Sequence, residues 1–394
     1  MSQLIDMRSA RFAEDKYRYI EELRSQAAIG RVEGGHVFFS QEDARYVMRC
    51  EDFRFDFFHG DPSISPYLAN SVQHELLNMH GAGHERLKKL VIQALRDHTV
   101  AGLKDRIRDI LNDLISRMPD QGEIDFCSGL AHVLPSRVLG PMFGVPYEEA
   151  EGLNDWIRAG GRKVEALQSG IGVAEVEEAN RQIHSYLRAL LDERRKAPGT
   201  DIFSQLILAE ADGERLKPEE LIFLAGEMAS AGVDTTRAQL PLILEQLLLH
   251  PEQLEMLRRN PSLIMSAVDE GMRFSPLPWA IPHRAVRDVE YKGVQIKSGD
   301  RALVLIPAVN RDPEAVSEPH TFDITRGRQR HFSFGYGMHA CPGAFLARME
   351  MALALEAILE AFAEIHLVGI SERDGIQKGQ SPLDMRLNVT RRDK

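Results

Sequence analysis

Cysteine is scarce in this sequence, and long apolar runs are missing. Among 394 residues there are three cysteines, Cys50, Cys127 and Cys341. A set this small and odd in number argues against a disulfide framework, indicates a reducing compartment, and excludes a four-cysteine iron–sulfur cluster within the chain. The best candidate for a membrane span, residues 240–249, is interrupted by Glu245 and Gln246 and is shorter than the ~18 apolar residues required. We therefore expect no transmembrane helix.

An apolar segment typical of a secretory signal is also missing from the start of the chain, so we expect a cytoplasmic protein. Basic residues are outnumbered: 59 Asp and Glu stand against 48 Lys and Arg, for a net charge of −11. This surplus of negative charge disfavours nucleic acid and anionic membranes as partners. Because 43% of the residues are hydrophobic, the chain can bury a sizeable core, and we expect a single domain over residues 1–394.

The most informative segment is residues 331–343, which read His-Phe-Ser-Phe-Gly-Tyr-Gly-Met-His-Ala-Cys-Pro-Gly. It predicts a glycine-punctuated loop that presents Cys341, followed by an Ala- and Leu-rich helix from Ala344 to about residue 363. The unpaired N–H groups at the start of that helix carry roughly half a positive charge and favour a thiolate over a thiol. A thiolate binds soft or borderline metals, and haem iron is one of them.

Other interpretations of this segment compete with a metal ligand. A lone cysteine is more often a small buried hydrophobic residue. Residues 335–340 also fit the dinucleotide fingerprint G-x-G-x-x-[GA], with a helix after them. That fingerprint must follow a buried strand, whereas residues 328–331, Arg-Gln-Arg-His, are too polar for one. A zinc hydrolase is disfavoured because the His-Glu-x-x runs at His74 and His84 lack the final histidine.

The whole loop pattern resembles the haem-binding loop of the cytochrome P450 family, and the resemblance spans nearly the whole chain. It implies a mainly α fold with small β-sheets, the cytochrome P450 fold, of the soluble bacterial kind. It also implies haem b (iron protoporphyrin IX), with the Cys341 thiolate as the ligand of the iron. The cofactor-binding loop residues implied are Phe334, Gly335, His339, Cys341 and Gly343. Pro342 departs from the usual pattern, and it removes one N–H near the sulfur.

Residues 231–236, Ala-Gly-Val-Asp-Thr-Thr, lie in the middle of a long helix predicted over residues 217–249. A threonine hydroxyl there can bond to the carbonyl one turn earlier and bend the helix. Gly232 could let a flat cofactor or a small gas approach the backbone, or it could serve ordinary helix packing. The run matches a family pattern in full. The resemblance implies that Thr235 donates a hydrogen bond to dioxygen and that Asp234 relays protons.

The spacing of Glu270 and Arg273 places an acid and a base on one helix face, where an exposed pair would contribute little. The two match the family's Glu-x-x-Arg. The resemblance implies a buried structural triad with Arg326 that ties the haem loop to the helical body.

Haem carries two propionates that need cationic or hydrogen-bonding partners. His84, Lys88, Arg284 and His339 fall where the family places such contacts, with Arg284 expected just ahead of a strand. Lysine at position 88 departs from the more usual arginine and gives a point charge instead of a bidentate fork.

Periodicity predicts mostly helix over residues 84–270, with clear examples at 86–94, 104–117 and 174–195. Strands are predicted around a glycine turn at 289–296 and at 301–306. Segments 31–39 and 384–390 are weaker strand candidates.

The identity of the substrate is not encoded in any motif, and we expect a small, mostly apolar organic molecule. Glu227 and Met228 stand seven residues before Asp234 and Thr235, which places them near the same helix face. Glu227 could anchor a basic or hydrogen-bond-donating group, or it could pair with an arginine of a neighbouring helix. The predicted substrate residues are Glu227, Met228, Ala231, Trp279, Ala280 and Ile281, with further candidates at Phe53, Phe55, Phe57, Phe58 and residues 380–383.

The resemblance implies a monooxygenase that inserts one atom of O2 into its substrate. Its electrons would come from a separate ferredoxin or flavodoxin with its reductase. A docking surface for that partner is predicted from the basic residues Lys88, Lys89, Arg96, Arg328, Arg330 and Arg348. A nicotinamide dehydrogenase and a non-catalytic haem sensor are the alternatives, although a sensor would leave Asp234 and Thr235 unexplained.

Overall fold

A computed structural model describes residues 5, 15–56, 61–99, 102–208, 210–211, 214–327, 329–375 and 379–392. Helices dominate these residues, and the strands lie in small sheets. In chain order the helices are α1 (Lys16–Gln26), α2 (Gln41–Val47), α3 (Pro66–Gln73), α4 (Gly81–Thr99), α5 (Leu103–Ser116), α6 (Leu134–Met142), α7 (Tyr147–Gly160), α8 (Lys163–Ser169), α9 (Val173–Lys196), α10 (Ile202–Leu208), α11 (Pro218–Leu249), α12 (Pro251–Arg259), α13 (Ile264–Phe274), α14 (Ile306–Val309) and α15 (Ala344–Ala361).

The strands are short. In chain order they are β1 (Ile29–Val32), β2 (Gly35–Phe38), β3 (Phe53–Phe55), β4 (Gln121–Asp125), β5 (Glu210–Ala211), β6 (Glu214–Arg215), β7 (Ala280–Ala285), β8 (Val289–Tyr291), β9 (Val294–Ile296), β10 (Arg301–Leu305), β11 (Phe362–Gly369) and β12 (Arg386–Arg391).

Several helix starts follow directly from the sequence. Asp15, Ser40 and Ser65 precede α1, α2 and α3, and each side chain accepts a hydrogen bond from the N–H three residues later. Such caps satisfy donors that the first turn leaves unpaired. Pro218 begins α11, where its fixed φ suits the first turn and its missing N–H costs nothing.

Contacts divide the chain into two compact units, and the first comprises residues 1–57, 242–341 and 374–381. Its sheet has the order β1-β2-β10-β7-β3, in which β10 runs parallel to β2 and antiparallel to β7. Alternate residues of β2 and β10 enter two different apolar cores, one with Phe38 and Val304 and the other with Val37 and Leu303. The sheet is therefore buried on both faces.

The second unit comprises residues 58–241, 342–373 and 382–394. It holds α3 to α10, most of α11, and α15, together with the three-stranded sheet β11-β12-β4. One of its cores joins α3, α8 and α9 through Leu68, Val72, Leu167 and Val176. Within the described residues, no helix is both long and apolar enough to cross a bilayer.

The prediction of a mainly α fold with small sheets is confirmed. The predicted helices at 86–94, 104–117, 174–195 and 217–249 fall within α4, α5, α9 and α11, apart from two boundary residues, Arg117 and Lys217. Two boundaries differ. Arg284 lies inside β7 and not ahead of a strand, and the helix after Cys341 gives way to β11 at Phe362.

Candidate active site

The loop that presents Cys341 is shaped by backbone hydrogen bonds and two left-handed glycines. The Cys341 N–H donates to the carbonyl of Phe334 at 2.8 Å. Gly335 and Gly337 have φ values of 69° and 71°. A Cβ on Gly337 would lie 2.6 Å from the carbonyl oxygen of Met48, so the chain passes too close there for any side chain. These constraints fix the position of the thiol.

Asn310 holds the start of this loop. Its Oδ1 accepts a hydrogen bond from the Phe332 N–H at 2.7 Å, and its Nδ2 donates to Ser333 Oγ at 3.0 Å and to the Arg273 carbonyl at 3.3 Å. Ser333 Oγ donates in turn to the carbonyl of Met272 at 2.7 Å. Asn310 is fully buried. The sequence offered no motif for it, and its importance is visible only from these long-range contacts.

Glu270, Arg273 and Arg326 come together as a buried cluster. Arg273 donates from Nε and Nη2 to the two Glu270 oxygens at 2.7 and 2.8 Å, and both side chains are at most 1% exposed. Arg326 Nε lies 3.4 Å from Glu270 Oε1. Arg273 Nη1 also donates to the carbonyl of Asn310 at 3.1 Å. This last contact connects the cluster with the residue that holds the cysteine loop.

The three cysteines differ sharply in their surroundings. Cys127 is buried, and burial raises the pKa of its thiol to about 12. Burial also raises the pKa of Cys50. Cys341 is exposed, which is unusual because cysteine is among the most buried residue types. A thiol presented outward from a rigid loop matches the donor that haem iron takes in a haem-thiolate protein.

Two of the predicted propionate contacts belong to the first unit. Arg284 Nε donates to the carboxylate of Asp56, and its Nη1 donates to the Gly299 carbonyl at 2.6 Å. A haem propionate would therefore share this guanidinium with Asp56. The ring of His339 lies 5.1 Å from that of Phe55 and is two residues from the cysteine.

Trp279, a predicted substrate residue, is largely buried. Its side chain is 4% exposed in a core of the first unit, and its ring lies 5.9 Å from that of Tyr17. Ala280 and Ile281 are half-buried, and a Cβ on Gly335 would lie 3.9 Å from Ile281 Cδ1. Phe53 and Phe55 are buried, whereas Phe57 and Phe58 lie outside the described residues.

In the second unit, α11 runs without interruption through residues 231–236. Thr235 Oγ1 donates to the Ala231 carbonyl at 2.6 Å, which is the bond to the preceding turn that the sequence predicts. Ala231 and Thr235 are both exposed, although residues 236–240 are all buried. This part of the helix thus presents an open face. A Cβ on Gly232 would lie 2.4 Å from Leu139 Cδ1, which supports the packing interpretation of this glycine.

Asp234 is paired with Arg237 of the same helix. Nε and Nη2 of Arg237 contact Asp234 Oδ1 at 3.2 and 2.5 Å. The side chains of Arg237 and Asp234 are 8% and 18% exposed. We did not predict Arg237 from the sequence, although the i, i+3 rule that identified Glu270 and Arg273 would have found it.

Glu227 is engaged by backbone groups. The N–H groups of Leu76 and Leu77 donate to its two carboxylate oxygens at 2.5 and 3.0 Å. Burial, and next the charge of Glu75, raise the pKa of Glu227 to about 8, while Lys163 acts in the opposite direction. The partners are thus peptide groups and not the arginine considered above. Met228 is half-buried.

His84 and Lys88 lie one turn apart on α4. His84 is 1% exposed, and its pKa is lowered to about 4, mainly by burial and next by the charge of Lys88. An anionic group beside these two would favour the protonated histidine. Among the basic residues predicted for partner docking, Lys89, Arg96 and Arg330 are exposed, Lys88 and Arg348 are half-buried, and Arg328 lies outside the described residues.

Comparison with known proteins gives a consistent result. The family model described as Cytochrome P450 matches residues 173–369. Mycinamicin IV hydroxylase/epoxidase of Micromonospora griseorubida is 33% identical over 345 residues, which are 84% of this chain and 85% of that protein. The polyketide biosynthesis cytochrome P450 PksS of Bacillus subtilis is 33% identical over 298 residues, 75% of this chain and 72% of that protein. The solved structure of epothilone B-bound cytochrome P450epoK superposes with a TM-score of 0.88 at 28% identity and covers 99% of this chain and 100% of that one.

The chain therefore belongs to the cytochrome P450 family, an oxidoreductase family of monooxygenases whose cofactor is haem b. This assignment decides against the nicotinamide dehydrogenase that the glycine pattern at 335–340 left open.

Proposed function

We propose that this protein inserts one oxygen atom from O2 into a small, mostly apolar organic molecule. Separate proteins, a ferredoxin or flavodoxin with its reductase, supply the electrons. The observation that carries the proposal is the exposed Cys341 thiol on a loop fixed by Gly335, Gly337 and Asn310. The name of one relative refers to polyketide biosynthesis and that of another to mycinamicin IV, so polyketide products are the first substrates to test.

Haem b is proposed to bind with the Cys341 thiolate as its iron ligand, between the loop residues Phe334, Gly335, His339 and Gly343. Its propionates are assigned to His84, Lys88, Arg284 and His339. When bound, haem supplies the activation of dioxygen, which the side chains of the chain cannot perform themselves. We also propose that residues 1–394 form a single domain.

Proton delivery is assigned to Asp234 and Thr235. The Thr235 hydroxyl must leave the Ala231 carbonyl before it can donate to dioxygen. The Asp234 carboxylate takes a proton from water and passes it on toward that oxygen. The exposed position of Thr235 on α11 supports this role.

The substrate pocket is proposed to include Met228, Ala231, Ala280 and Ile281, which are apolar and at most half-buried. Glu227 remains a candidate for contact with a hydrogen-bonding group of the substrate. Because both of its oxygens already accept backbone N–H groups, its main effect is on the position of residues 76–77.

The function is tested with purified holoprotein, a surrogate ferredoxin with its reductase, and a panel of polyketide lactones and fatty acids. With isotopically labelled dioxygen, one labelled oxygen atom should appear in the product. Cys341→Ser should abolish this incorporation. Electron transfer should slow with added salt and with the charge reversals Lys89→Glu and Arg330→Glu, because attraction between exposed charges is screened. Label that enters from water instead of dioxygen would contradict the monooxygenase assignment.

A further inference from the structure

A cavity of about 50 Å³ lies among four helices of the second unit, α6, α7, α9 and α11. Small residues leave this space unfilled, because Gly140 of α6 and both Ala225 and Ala229 of α11 line it. None of these three side chains extends beyond a single methyl group. Protein interiors pack closely and contain few voids larger than a water molecule, so a space of this size is a candidate binding site.

The wall of this cavity offers little hydrogen bonding. Apart from Ser136 and Tyr186, all of the residues that line it are apolar. The Ser136 hydroxyl donates to the Val133 carbonyl at 2.8 Å, and the Tyr186 hydroxyl donates to the Glu149 carboxylate at 2.8 Å. A buried water typically makes about two to four hydrogen bonds, whereas apolar cavities stay dry and accept apolar guests. The lining therefore favours an apolar molecule over water.

The volume of the cavity sets the size of that guest. An apolar cavity of about 150 Å³ takes benzene, which has six heavy atoms. In proportion, a cavity of about 50 Å³ holds roughly two heavy atoms, which is the size of dioxygen. Larger organic molecules do not fit without displacement of the surrounding helices.

The cavity lies on the side of α11 that faces away from the proposed oxygen contact. Ala231 and Thr235 follow Ala229 and Val233 by two residues, which is ~200° around the helix axis. Val233 lines the cavity and directly precedes Asp234 in the sequence. A substrate bound against Ala231 would therefore leave the cavity free for its own guest.

We propose that this cavity is a binding site for dioxygen, separate from the substrate pocket. The choice of dioxygen rests on the proposed function, because a monooxygenase consumes it, and on the size and apolar lining of the cavity. Dioxygen binds there unchanged, without transfer of electrons or protons. Its occupancy raises the local concentration of dioxygen beside the helix that carries Asp234 and Thr235.

Crystals of the holoprotein under xenon pressure locate the site without any turnover. Xenon is a small apolar gas like dioxygen, and its anomalous scattering makes it visible. We expect a xenon peak beside Ala225 and Ala229 in the wild type. Ala229→Val adds two methyl groups to the wall and should remove the peak, whereas Ala189→Val, the same change at an exposed position of α9, should keep it. The absence of this peak in the wild type, or an equal peak in Ala229→Val, would overturn the proposal.

Dioxygen itself is tested by nuclear magnetic resonance of the ferric holoprotein, whose iron does not bind it. Dioxygen is paramagnetic and speeds the relaxation of nearby methyl groups. The methyl groups of Leu187 and Val233, which line the cavity, should relax faster under dioxygen than under argon, and this gain should be lost in Ala229→Val. Val304, packed in a core of the first unit, provides the comparison. A gain at Val233 no larger than the gain at Val304 would show that dioxygen does not occupy the cavity.

Failure of this inference is distinguishable from failure of the proposed function. The function is wrong if the wild type lacks a thiolate-haem spectrum or incorporates no labelled oxygen atom from dioxygen. The xenon and relaxation experiments measure binding alone, so they decide on the cavity whatever that assay shows. Should Ala229→Val not fold, Ala225→Val narrows the same cavity and takes its place.

Discussion

Asn310→Ala is expected to loosen the cysteine loop, because this buried amide makes three contacts to it and to α13. The Phe332 N–H would lose a 2.7 Å partner and stay buried, at a cost of ~1–3 kcal/mol. The lost donor to Ser333 adds ~1 kcal/mol. We count the 3.3 Å contact to the Arg273 carbonyl as minor. The expected loss of stability is therefore about 3 kcal/mol, a large part of the ~5–15 kcal/mol typical of a folded protein.

For a chain of 394 residues, a loss of this size lowers the melting temperature by about 4 °C. Circular dichroism measures the melting temperature, and the visible spectrum measures how much haem the protein retains with a thiolate ligand. Asn112→Ala is the matched control, because Asn112 is exposed on α5. If Asn310→Ala melts within about 1 °C of this control and retains haem equally well, the proposed support of the loop is refuted.

Three further predictions concern buried or reactive acids and the threonine beside one of them. Glu227 has a folded pKa of about 8, above its unfolded value, so the stability it contributes is full below about pH 4.5 and is lost as the pH rises through 8. Chemical denaturation at pH 6 and pH 9 should show that the free energy of unfolding falls less in Glu227→Gln than in wild type over this interval. An equal fall in both proteins would contradict the raised pKa of Glu227. Glu270→Gln should cost about 3–5 kcal/mol in chemical denaturation, since two buried arginines lose their anion, whereas the exposed control Glu255→Gln should cost under ~1 kcal/mol. Thr235→Ala should keep haem and substrate binding but divert reducing equivalents to peroxide. If the amount of product formed per reducing equivalent does not change, Thr235 has no part in the mechanism.

Features governed by local spacing were predictable from the sequence. The apolar period of 3.6 residues located α9 and α11 to within a few residues, because an amphipathic helix repeats its buried positions at short range. Glu270 and Arg273 were found for the same reason, since a spacing of three residues puts both on one helix face.

Features that depend on distant partners were not predictable. Strand β7 contains Pro282, and a proline within an apolar run argues against a strand with neighbours on both sides. The strand forms nonetheless, and the Pro282 carbonyl accepts a hydrogen bond from the Asp56 N–H at 3.0 Å. Asn310 was missed for the same cause. Its role is set by residues far away in sequence, such as Phe332.

The central claim, a thiolate ligand from Cys341, is tested most directly by the absorption spectrum of the reduced protein with carbon monoxide. Wild-type protein should show the strongly red-shifted Soret band of thiolate-ligated haem. Cys341→Ser should lose that band, while Cys127→Ala, which removes a buried thiol whose pKa is raised to about 12, should keep it. A wild-type spectrum typical of histidine ligation, or a red-shifted band that survives in Cys341→Ser, would contradict the assignment of the haem site.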